Sequence, residues 1–216
     1  MIVINNGPDW FYGLDTIFEI VGGLITLLAS MLSYRVYRFT KEKKYYSLFG
    51  AFLLIAFAFG LRAMGALLMH MGFYERIISI LDMFDIIFLG QMTLMLLAYT
   101  MILLASMNVK SRRLIAFIMS LMTLFIVFSY QYYIKFHIML FMLLFFLTVN
   151  FYLNYRKQKS LNSALVFSGF YLLMMAQPFF LFTVNLNQKF YVVGQTLQAV
   201  GFLALFFMLI RVIRSK

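Results

Sequence analysis

Seven long apolar runs dominate this chain, each near the roughly 20 residues that carry a helix across a hydrocarbon layer. They are Phe11–Tyr34, Tyr45–Met69, Asp85–Met107, Leu114–Tyr133, Phe136–Tyr155, Leu161–Val184 and Phe190–Arg211. With 64% hydrophobic and 12% charged residues, a water-soluble fold would have no core large enough to hide them. A transmembrane β-barrel would show segments of about ten residues in polar alternation, and none occurs. The expectation is an all-α integral membrane protein with seven transmembrane helices in a single domain, residues 1–216. The junction of the fourth and fifth helices is the weakest boundary, because Gln131-Tyr132-Tyr133-Ile134-Lys135 contains no strong breaker.

The formal net charge of +11 would suit nucleic acid, but its distribution does not. Fourteen of the 18 Lys and Arg fall at one set of helix ends: Arg35–Lys44, Lys110–Arg113, Arg156–Lys159 and Arg211–Lys216. Six of the seven acids, all but Glu42, lie toward the other side. The positive-inside rule then predicts an outside N-terminus, a cytoplasmic C-terminus and a multi-pass place in the cell membrane. The lipid bilayer is the expected partner, and nucleic acid is not. No cleavable leader is expected, since the first 34 residues hold no Lys or Arg. Trp10 and most tyrosines stand at predicted helix ends, as an interfacial belt does.

Parts of the chain match each other at a spacing of 118. Tyr34-Arg35-Val36-Tyr37-Arg38 reads like Tyr152-Leu153-Asn154-Tyr155-Arg156, and Phe49, Phe52, Leu54 and Ala58 recur as Phe167, Phe170, Leu172 and Ala176. Gly90-Gln91 recurs as Gly194-Gln195 at a spacing of 104. These matches weigh about evenly against coincidence in a Phe- and Leu-rich chain. Taken as duplication they predict parallel repeats, 11–107 and 136–211, joined by helix 114–133 in a 3+1+3 plan. Gly60 then corresponds to Pro178.

Polar residues at membrane depth are costly, and so informative. Counting from the basic ends, Arg35 to Glu19 is 16 residues and Lys44 to Arg62 is 18; Lys110 to Gln91 is 19, Lys159 to Gln177 is 18 and Arg211 to Gln195 is 16. At ~1.5 Å per residue, five helices each place one polar group roughly 24–28 Å above the anchors. Asp15 shares the Glu19 face of its helix, and Asp85 precedes the third helix at the outer side. Glu19, Arg62, Gln91, Gln177, Gln195, Asp15 and Asp85 are therefore the candidate ligand-binding residues, lining a cavity open to the outside. Glu19 and Arg62 match in depth on consecutive helices and are expected to pair. The competing reading, of equal weight, is that the same residues only glue helices together.

Cysteine is absent, which removes disulfides, thiolate metal sites and thiol catalysis. His70 and His137 are too few for most imidazole sites, and their spacing does not favour a bis-histidine haem. No HExxH, GxSxG or Walker motif occurs, so neither an enzyme nor a cofactor is expected. The seven-helix, N-outside layout is similar to that of opsins, without a lysine between Tyr191 and Ile210 for a Schiff base. The basic turn Tyr34–Lys44 running into Tyr45–Arg62, with the same topology, resembles the seven-helix sensing modules of some prokaryotic signalling proteins. That resemblance rests on the general pattern and transfers no residue role. It implies a sensor, and with no output domain before Lys216 such a sensor would need a separate signalling partner.

Three functions are carried forward. The first is a transporter taking a small polar or anionic solute, or an ion, at the polar layer, as a single chain or a homo-oligomer. The second is a ligand-sensing or accessory subunit acting through another protein. The third is a structural membrane component.

Overall fold

Among its described residues the computed structural model is all-helical in its regular structure, with one 3-10 turn at Asp9–Phe11 ahead of seven α-helices. It describes residues 8–11, 13–70, 77–107, 109, 111–127, 132–185 and 187–214, excepting the side chains of residues 9, 68–70, 77–85, 112, 114–115, 125–127, 132 and 184–185. The helices are α1 (Leu14–Thr40), α2 (Lys43–His70), α3 (Ile77–Ser106), α4 (Arg112–Val127), α5 (Tyr132–Gln158), α6 (Leu161–Asn185) and α7 (Lys189–Arg214). Among the described residues six, all but α4, are long and apolar enough to cross a membrane, the build of a multi-pass membrane protein.

Helix α4 has 16 residues, about 24 Å at 1.5 Å per residue, against a hydrocarbon layer of about 30 Å. The expected fourth helix ran to Tyr133, but Tyr132 and Tyr133 open α5 instead. Nothing in Tyr132–Lys135 interrupts a helix, and Tyr133 gains from the longer α5. Its ring stacks on Phe88 (centroids 6.0 Å apart) and meets His137, one turn on, edge-to-face at 4.5 Å.

The principal helix contacts close a ring: α1, α2, α3, α5, α6, α7 and back to α1. Helix α4 lies outside that ring, against α3 and α5. One core cluster takes buried side chains from all six ring helices, among them Ala29, Ile55, Met92, Leu144, Leu173 and Phe202. Outward-facing Leu24, Phe57, Phe146 and Phe207 stay exposed, as lipid-facing side chains must on an isolated chain. Helices α6 and α7 pack tightly because two glycines face each other. A Cβ on Gly169 would stand 3.1 Å from the Gly201 carbonyl oxygen, and one on Gly201 would stand 3.0 Å from that of Gly169.

The 118-residue spacing recurs in the coordinates. Helices α1 and α5 both have 27 residues, and their first and last residues stand 118 apart. Each ends on a lysine in the left-handed region, Lys41 (φ 56°) and Lys159 (φ 46°). Both lysines donate their backbone N–H to the carbonyl four residues back, Tyr37 or Tyr155, at 2.8 Å. A two-residue break follows each, before α2 and α6. Glu19, Gly22, Thr26, Ala29 and Ser30 are buried in α1, and so are His137, Leu140, Leu144, Leu147 and Thr148 in α5. Ala51, Phe52, Ile55, Ala58 and Phe59 of α2 are matched the same way by Gly169, Phe170, Leu173, Ala176 and Gln177 of α6. Tyr34 packs on Phe49 at 5.2 Å and 49°, while Tyr152 packs on Phe167 at 5.4 Å and 50°.

For α3 and α7 the letters and the faces disagree by one residue. Gly90-Gln91 matches Gly194-Gln195 at 104, but buried Met92, Met95, Tyr99 and Ile102 fall on buried Gln195, Gln198, Phe202 and Leu205 at 103. One residue is about 100° of helix rotation, so burial separates the two registers clearly.

Candidate functional site

The polar groups meet inside the ring, toward the ends of the helices away from the basic clusters. Glu19 on α1 is 2% exposed, and its Oε1 is ion-paired with Nε of Arg62 on α2. The matching depth of the two residues is thus realised as a contact. Arg62 also donates from Nη2 to the hydroxyl of Tyr191 on α7. Gln195, one turn further along α7, donates from Nε2 to that same hydroxyl at 3.0 Å. One continuous polar chain therefore ties α1 to α2 to α7. The rings of Phe88 and Tyr191 lie 5.8 Å from the guanidinium carbon, adding cation–π contact.

A second pair sits across the ring. His137 on α5 and Gln177 on α6 are joined at 2.8 Å between Nδ1 and Oε1, both side chains buried. An amide oxygen only accepts, so Nδ1 carries the proton. Gln177 uses its own Nε2 to donate to the Leu173 carbonyl at 3.1 Å, which holds the amide in that orientation.

Between the two pairs lies a small cavity lined on its polar side by Arg62, Gln91, His137, Gln177, Gln195 and Gln198. Its volume is about 20 Å³, room for about one water. The open vestibule expected from the sequence is not what the described residues form. Aromatic rings fill that space: Tyr191 packs on Phe180 at 5.7 Å and on Phe11 at 6.1 Å, and all three are buried. Phe180 lies this close to α7 because Gly194 has no side chain; a Cβ there would be 2.9 Å from its ring.

Two acceptor atoms in this region are buried without a partner, Glu19 Oε2 and Gln91 Oε1. A buried carboxylate or amide oxygen left unsatisfied costs about 1–3 kcal/mol, more for the charged group. Satisfied polar networks are the rule in protein interiors, so such atoms mark a place where a water, an ion or a ligand donor belongs.

Of the sequence candidates, Arg62, Gln91, Gln177 and Gln195 line the cavity, with Glu19 held to it through Arg62. Asp15 is engaged elsewhere: its Oδ1 accepts the backbone N–H groups of Gly13 at 3.0 Å and Thr16 at 2.8 Å, fixing the start of α1. The side chain of Asp85 lies outside the described residues, as does that of His70. Sequence reasoning missed Tyr191 and undervalued His137, which reads as lying near a helix end. The 118 spacing was the available signal for His137, since it lands on Glu19. Among the described residues no three His, Asp or Glu side chains group to hold a metal ion. No protein-family model, curated protein sequence or solved structure matches this chain.

Proposed function

We propose that the chain is a small-solute permease built from two parallel three-helix halves, α1–α3 and α5–α7, with the central cavity at their seam. The observation that carries this reading is that cavity: buried polar side chains from both halves converge on it, and Gln91 Oε1 is left there without a partner. A purely architectural polar layer would be expected to satisfy its own members.

Several features support the duplication. The ring order is unchanged when α1, α2 and α3 are exchanged for α5, α6 and α7. The bounds of α1 and α5, their left-handed caps, the starts of α2 and α6 and the burial of these four helices repeat at a spacing of 118, and the burial of α3 and α7 repeats at 103. A three-helix half ends on the side opposite its start, so an odd linking helix is needed to make the halves parallel. In this proposal α4 crosses as the seventh span. The N-terminus faces outside and the basic ends face the cytoplasm.

Glu19 corresponds to His137, Phe59 to Gln177, and Arg62 to Phe180. Each half thus braces its first helix to its second with a different polar pair, an asymmetry suited to binding an unsymmetrical solute. Arg62 is already engaged by Glu19 and Tyr191, and the unpartnered atom on the cavity, Gln91 Oε1, is an acceptor. The solute this favours is a small molecule with hydrogen-bond donors, rather than an anion. Exchange of access is rocking of the halves, helped by Pro178, which removes a backbone donor inside α6. Its role is binding and passage without covalent chemistry.

Gentle extraction followed by native mass spectrometry tests the reading. A small molecule retained by the wild type and lost in Gln91→Leu supports it, and uptake of that molecule into proteoliposomes completes it. Stoichiometric co-purification of a second protein, with no retained solute, would replace it by the accessory-subunit reading.

A further inference from the structure

A separate feature opens on the membrane side of α1 and α2. Between the two helices runs an apolar groove of about 280 Å³. Its walls are Leu24, Leu27, Leu53 and Phe57, and its floor is small residues, with Gly23, Ala56 and Gly60. Nothing lies within 4 Å of where a Gly60 side chain would begin, and Gly60 is exposed, so the space is open to lipid. One charged residue lines this groove: Glu19, 2% exposed, whose Oε2 has no partner.

We infer that this groove is a lateral binding site for a neutral amphiphile, an apolar tail ending in a hydroxyl that donates to the free carboxylate oxygen of Glu19. Along α1 the lining runs from Glu19 to Leu27, about 12 Å at 1.5 Å per residue. Glu19 stands only five residues into α1, near one membrane face, while Leu27 and Leu53 lie deeper. The head and tail of a lipid-like molecule would therefore take the polar and apolar ends of the groove in the order they hold in a bilayer. Charge decides between possible heads. Glu19 and Arg62 already neutralise each other, and Asp15 is taken up by backbone N–H groups. An ammonium would add an uncompensated charge in a low-dielectric place, whereas a hydroxyl satisfies the orphan oxygen and leaves the balance unchanged. An anionic head would face a carboxylate. The site is distinct from the central cavity and stands whether or not that cavity transports anything.

The test uses the full chain in phosphatidylcholine nanodiscs with a diazirine-bearing hexadecanol and its methyl ether, which has the same tail but no donor. Photolabelling is read by peptide mass spectrometry. The expected result is saturable labelling of residues 20–27 and 53–63 by the alcohol, displaced by unlabelled hexadecanol. The ether should bind about tenfold or more weakly, the loss of one hydrogen bond to a charged acceptor. Gly60→Leu, which fills the floor without touching Glu19 or Arg62, should abolish the saturable labelling. Equal labelling by alcohol and ether would reduce the groove to bulk lipid contact and overturn the proposal, as would undiminished labelling of a folded Gly60→Leu protein.

Discussion

Replacing Arg62 with methionine probes the polar chain at its centre. The substitution strands Glu19, which is 2% exposed, away from water with its charge uncompensated. Removing one partner of a buried pair costs about 3–5 kcal/mol. The penalty in Arg62→Met is therefore about 4 kcal/mol, plus about 1 kcal/mol for the donor lost by Tyr191. Glu19→Leu should cost less, since Arg62 is 21% exposed and its long side chain can reach toward the interface. The double variant removes both charges and should cost only about 1–2 kcal/mol, giving a coupling of at least about 3 kcal/mol. Unfolding in mixed micelles by dodecyl sulfate titration, followed by circular dichroism, measures the four proteins. Additive single effects within about 0.5 kcal/mol would refute the reasoning.

Other expectations can be checked with single variants. Gly169→Ala should destabilise by about 1–3 kcal/mol, because the new methyl meets a carbonyl of α7 that cannot step aside. Gly60→Ala should instead be neutral, or stabilising by up to about 1 kcal/mol, since it meets open space and improves helix propensity; the same dodecyl sulfate titration ranks the two. Nitrogen-15 shifts of the His137 ring should report the Nδ1–H tautomer, and Gln177→Leu should release it at a cost of about 1–3 kcal/mol. The natural absence of cysteine permits a direct topology test. Cysteines at Lys41 and Lys159 should react with an impermeant maleimide from one side of the membrane and a cysteine at Asn187 from the other; labelling of 41 and 159 from opposite sides would end the parallel-repeat proposal.

Much of this molecule was legible from residue order alone, for a physical reason. Lipid offers no hydrogen bonds, so an apolar run of sufficient length has little choice but to be a helix. The six long helices follow from that constraint, while α1 and α5 run on past the expected ends at Tyr34 and Tyr155 to Thr40 and Gln158. Depth was legible too, because a fixed rise per residue converts spacing into height, and it paired Glu19 with Arg62 before any contact was seen. Azimuth was not. Apolar residues surround these helices on nearly all sides, toward lipid and core alike, so periodicity carries little record of which face turns inward. That is why Tyr191 was missed, and why the Gly-Gln match in α3 and α7 sits one residue off the burial register. Only the packed ring decided that aromatic side chains close over the polar layer and leave space for about one water. The ring also decided that α4 stands outside it, and that Glu19 serves two surroundings at once, the guanidinium of Arg62 and an apolar groove facing the bilayer. Those outcomes depend on which helices become neighbours, a property of side-chain fit among residues far apart in the chain, and no local pattern encodes it.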